Sequence, residues 1–130
     1  MDRDELLVAL NLPPVRPRER ATFRKLRIRD SIDFPLANVA AVARFHEDGS
    51  TESLRLYVSG MGSYPRRVGK VDEIVAGGPL NADRIEAVAE QAFRQCHPLS
   101  NITVDAEWRR AMVPVVVSRV LHDLVEPIAG

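Results

Sequence analysis

The sequence has 130 residues, enough for one domain that buries roughly two-thirds of its unfolded surface. Eighteen basic side chains balance eighteen acidic ones, so no overall field steers the chain toward nucleic acid or an anionic membrane. No run approaches the ~18 apolar residues of a membrane span, MDRDELL does not read as a signal peptide, and the lone Cys96 excludes an internal disulfide. A cytoplasmic domain is expected.

Residues 5–12 (ELLVALNL) read as a short leading strand, stopped by Pro13-Pro14, and 13–20 (PPVRPRER) as an extended Pro-rich linker. The domain proper is expected over 21–126, with a tail at 127–130. ATFRKLRIR (21–29) alternates as a strand, with Phe23, Lys25, Arg27 and Arg29 on one side and Arg24, Leu26 and Ile28 on the other. ANVAAVARFH (37–46) is apolar on both sides at its start and reads as an interior strand covered on each face. Asp48-Gly49 then predicts a hairpin turn into ESLRLYVSG (52–60), with Leu54, Leu56 and Val58 facing the core.

The second half changes period. Val68, Val71, Ile74 and Val75 recur at helical spacing over 66–76, ended by Gly77-Gly78-Pro79. Asn81 caps a second helix whose stripe is Ile85, Val88, Ala89, Ala92, Phe93 and Cys96, stopped by His97-Pro98. Asp105 caps a third helix of about 20 residues, striped by Val113, Val116, Val117, Val120, Leu121 and Leu124, with a bend expected at Pro114. Trp108, Met112 and Val115 widen its apolar surface. Strands followed by helices give the α+β class: an antiparallel sheet of three to four strands with three helices packed on one face.

Candidate chemistry is sparse. His46, His97 and His122 are far apart and none sits in a metal-ligand spacing, so no metal site is expected, and Cys96 reads as a small buried hydrophobe. Ser59-Gly60-Met61-Gly62-Ser63 has its serines outside the glycines, which excludes a nucleophile elbow, and it lacks the dinucleotide and P-loop frames. Its glycines suit a tight turn or a close approach to a neighbour, a ligand included. Residues 16–29 hold seven basic side chains against one acidic one. Because this run alternates as a strand, it reads as a protein-docking or solvated face rather than a nucleic-acid site. Asp33 near Arg29, and Glu107 near Arg109 and Arg110, read as Arg–carboxylate ties between helix and sheet. No independent active site emerges.

Three ordered stretches carry a family resemblance: FRKLRIRDSIDFPLANVAAVARF (23–45), LRLYVSGMGSYPRRVGKVDEIVAGGPL (54–80) and HPLSNITVDAEWRRAMVPVVVSRVL (97–121). They resemble the C-terminal domain of the FAD-binding (medium) subunit of molybdenum hydroxylases, the family of carbon monoxide dehydrogenase, xanthine dehydrogenase and 4-hydroxybenzoyl-CoA reductase. ELLVALNLPP is similar to the strand that leaves the flavin domain. Asn101 and Trp108 stand where the family usually carries aspartate and tyrosine.

The resemblance implies a domain that helps enclose FAD and dock its subunit while electrons pass between iron–sulfur clusters and FAD. FAD would be bound mainly by upstream domains absent from this chain. An iron–sulfur subunit and a molybdenum subunit would be the partners, and the isolated chain would be inactive. The resemblance places Lys25 beside the flavin ring, where an ammonium favours the negative charge of reduced flavin. Gly60 and Gly62 become candidates for approach to the cofactor, and Arg29 with Asp33 a pair orienting the Lys25 strand. Self-association in isolation is compatible with this reading. The alternative is a non-catalytic interaction module that docks through the basic strand 23–29.

Overall fold

The computed structural model describes residues 2–100 and 104–125. Its strands are β1 (Glu19–Leu26), β2 (Ala37–Phe45), β3 (Thr51–Ser59) and the two-residue β4 (Arg66–Arg67), joined in the order β1-β2-β3-β4 with every pairing antiparallel. Its helices are α1 (Val71–Val75), α2 (Ala82–Gln95) and α3 (Ala106–Val125). All three pack on one face of the sheet, α3 against β1 and β2, α1 against β3, and α2 against both other helices.

The period-two pattern dictates this layering. Ala37, Val39, Ala41 and Ala43 of β2 and Leu54, Leu56 and Val58 of β3 are buried under the helices, together with the predicted stripe of α3 and that of α2 apart from Phe93, which is only half-buried. The small alanines of β2 let the α3 valines approach the sheet closely. The β2–β3 turn forms at Asp48-Gly49: Gly49 takes φ 81°, and the Asp48 carboxylate accepts from the Ser50 backbone N–H at 2.9 Å. Asn81 Oδ1 accepts from the Arg84 N–H at 3.1 Å, and Asp105 Oδ1 from the Trp108 N–H at 2.9 Å, so both expected caps form. α3 runs unbroken through Pro114.

Four details differ from the sequence reading. Residues 5–12 form no strand and are exposed, because among the described residues the sheet is made of β1 to β4 alone. β1 ends at Leu26 rather than at 29. The Asp33 carboxylate accepts from the N–H groups of Ile28 at 3.0 Å and Arg29 at 2.9 Å, which curls 27–35 into a loop. Residues 66–70 are not helical: Arg66 and Arg67 pair with Val58 and Tyr57, the Val68 N–H donates to the Leu56 carbonyl at 2.9 Å, and Lys70 at φ 66° starts α1. Finally, β2 is interior in strand order but covered on one face only, its other side being half-exposed.

Candidate functional site at the open face of the sheet

Register fixes what the uncovered face displays. Phe23, Ala40, Tyr57 and Arg67 form one cross-strand row, and Lys25, Asn38 and Ser59 form the next. Strands about 4.8 Å apart set neighbouring members of a row side by side. The aromatics flank a floor of Ala40, with Phe23 60% and Tyr57 42% exposed. A planar group thus meets apolar faces beside polar side chains.

In the polar row, Lys25 Nζ donates to the Asp33 carbonyl at 2.5 Å. Asn38 Nδ2 donates to Ser59 Oγ at 3.3 Å, while Asn38 Oδ1 is buried without a donor. Buried amide oxygens without a donor are uncommon in folded proteins. Among the described residues the other such side-chain atom is Thr51 Oγ1, at the opposite end of β3.

The loop beside this row is preorganised. Arg29 reaches the Asp33 carboxylate at 3.4 Å, and the Arg29 backbone N–H, more than the ion pair, holds that carboxyl below the usual range. The expected Arg29–Asp33 pair therefore forms and shapes the loop that receives Lys25.

Gly60 and Gly62 behave differently from each other. Gly60 has φ 79°, and a Cβ there would lie 3.4 Å from the Pro35 carbonyl oxygen and 3.6 Å from Ala37 Cα. Those distances are ordinary contacts, so it is the positive φ of the turn that calls for glycine here. Its carbonyl accepts from Arg109, which is 3% exposed and also donates to the carbonyls of Leu36 at 3.2 Å and Leu99 at 2.8 Å. Gly62 is exposed, with open space where a side chain would be. Strand order leaves Lys25 on β1 and Gly60 just past β3, with β2 between them.

The expected Arg–carboxylate ties between helix and sheet are made by other residues. Arg109 binds backbone carbonyls, and Arg110 stacks on the Phe93 ring at 4.4 Å. The tie is Arg24 of β1 to Asp123 of α3, two bonds of 2.6 and 2.8 Å, with Arg20 donating to the Leu124 carbonyl at 2.9 Å. Much of the basic run is therefore engaged within the fold. Burial pushes the Cys96 thiol up, away from reactivity. Among the described residues no cluster of His, Cys, Asp or Glu could hold a metal, and no helix is long and apolar enough to cross a membrane. Asn101 lies outside the described residues.

Residues 21–124, the whole packed unit, match the family described as CO dehydrogenase flavoprotein C-terminal domain. The chain belongs to that family. Two Escherichia coli proteins that carry the name xanthine dehydrogenase FAD-binding subunit, from strain K12 and from O157:H7, are 27% and 26% identical over 132 residues. In each case all of this chain aligns to 44% of the relative, so the chain spans under half the length of these family members. The nicotine 6-hydroxylase medium subunit of Paenarthrobacter nicotinovorans is 30% identical over 93 residues, 72% of this chain and 32% of that subunit. A solved carbon monoxide dehydrogenase from Hydrogenophaga pseudoflava shares the family fold, with a TM-score of 0.76 at 22% identity over 85% of this chain and 38% of that one.

Proposed function

We propose that the chain is the C-terminal domain of a flavoprotein subunit of a molybdenum-dependent hydroxylase or dehydrogenase. In this reading its open sheet face helps enclose an FAD held mainly by upstream domains. The iron–sulfur and molybdenum subunits are the partners, the setting is cytoplasmic, and the chain alone is inactive. The observation that carries the reading is the sheet face left uncovered in a family member, with Lys25 between exposed aromatic and polar side chains.

The residues present fit the ring system. Phe23 and Tyr57 offer aromatic faces to a planar heterocycle, and Lys25 offers an ammonium to its carbonyl oxygens. When bound, the flavin supplies the two-electron and one-electron chemistry. The chain's own contribution is to exclude water from one side and to hold a positive charge where negative charge develops. Lys25 must leave the Asp33 carbonyl, or share its donors with it, to do so.

Purifying the tagged chain from its native cell extract and recording the visible spectrum tests the reading. Flavin bands with iron–sulfur absorption and larger co-purifying subunits are expected. A colourless eluate free of partners counts against it. Lys25→Met should lower the flavin content of the eluate without lowering the thermal midpoint of the chain.

A further inference from the structure

We propose that the outer edge of β1 takes residues 5–12 of a second copy of this chain as an added antiparallel strand, exchanged reciprocally in a two-fold dimer. The exchange uses the edge of the sheet and leaves its open face to the flavin reading.

The edge is equipped to receive a strand. β1 stands last in the sheet order, so one row of its N–H and C=O groups meets no strand among the described residues. Between β1 and α3 runs an open groove of about 570 Å³, with Leu26 and Val116 on its floor and Lys25, Arg27 and Arg119 along it. Arg24 in the same groove is already paired with Asp123. Arg27 and Arg119 are exposed, and among the described residues no carboxylate pairs with either.

Residues 2–12 supply the complement. Asp2, Asp4 and Glu5 are followed by Leu6, Val8, Leu10 and Leu12, which share one face of an extended strand. Those four side chains are 78–88% exposed in the single chain. Their own linker leads them away from the edge. The Glu19 N–H donates to the Arg16 carbonyl at 3.1 Å, and this turn sets Pro13 and Pro14 beside Arg44, Glu52 and Arg55 of β2 and β3. Pro13, Pro14 and Pro17 stiffen that path, so a second copy, free of the tether, is the occupant.

Charge selects the direction. Antiparallel addition lays the acidic end beside Lys25 and Arg27 at the close of β1, whereas parallel addition lays it beside Glu19. With the leucine face turned to α3, the stripe seats against Leu26 and Val116 while the backbone completes the edge. Two identical exchanges close the assembly at two copies.

Sedimentation equilibrium of the full 130-residue chain tests the exchange, and a monomer–dimer equilibrium is expected. Arg27→Glu with Arg119→Glu should weaken the dimer about tenfold, a scale set by exposed, solvent-screened pairs. Asp2→Lys with Asp4→Lys should do the same, and the four changes together should restore the dimer. Loss without recovery in the fourfold variant, or no loss in either double variant, overturns the proposal. So does a chain that stays monomeric up to millimolar concentration, as it would if the segment paired with its own β1. A second measurement leaves both charge sets intact: a nitroxide on Arg3→Cys of one copy should broaden the Leu26 and Arg27 amide signals of an isotope-labelled, unsubstituted copy mixed with it. Absence of that broadening overturns the assignment.

Discussion

Arg109 holds together the end of the sheet beside the candidate site. Its guanidinium reaches from α3 to the carbonyls of Leu36, Gly60 and Leu99, tying the start of β2, the end of β3 and the segment after α2. Arg109→Met would leave these acceptors without a donor where water has little access, costing about 3 kcal/mol of stability. A urea melt should show this as a lower midpoint, with Arg109→Lys recovering only part because an ammonium lacks the planar fork. An unchanged midpoint for Arg109→Met would refute the role. In the sequence, Arg109 and Arg110 look alike beside Glu107. Their opposite fates, buried on carbonyls and stacked on Phe93, depend on which side of α3 each occupies. Lys25 enters the candidate site through the family resemblance of residues 23–45. Asn38 does not, because its signal is a missing partner, and only the assembled sheet shows that.

At the scale of elements, β1 is clasped to α3 by Arg24 and Asp123. The hydrogen bond from Arg24 holds the Asp123 carboxyl below its usual range. A folded-state value below the unfolded one gives stability that is complete above the unfolded value and disappears as pH falls through the folded one. The clasp should therefore be intact at neutral pH and weaken below about pH 4. Asp123→Asn is expected to lower stability at neutral pH by under about 1 kcal/mol, since the pair is partly exposed and screened by solvent. The same variant should flatten the loss of thermal midpoint on acidification. Parallel acid profiles for the two proteins would contradict this.

The hairpin and the two long helices were readable because each carries its own punctuation, Asp48-Gly49, Asn81 and Asp105. β4 was not, since two residues cannot show a period and Val68 falls in step with the α1 valines by spacing alone. The end of β1 escapes the pattern for a related reason. Alternation continues to Arg29, and the Asp33 carboxylate that captures the Ile28 and Arg29 amides lies several residues further on.

Taken as a whole, the molecule is one-sided: helices shield one sheet face, and the other displays aromatic rings beside a basic and an amide side chain. The exposed leucines at 6, 10 and 12 add apolar surface away from the core. On this basis the chain should self-associate weakly, and replacing Leu6, Leu10 and Leu12 together by serine should shift its sedimentation toward the monomer. Identical concentration dependence for both proteins would argue against that source of attraction.

β1 forms one border of the sheet, so one side of its backbone pairs with no strand among the described residues. Borders of this kind invite a strand from a neighbouring molecule and are a common route to fibrous aggregates. Here Arg20, Arg24 and Lys25 project from that border strand, and a second β1 laid against it would bring like charges together. The clasp to α3 holds two of those arginines in place, so the contacts that fasten β1 inside the domain also discourage its polymerisation.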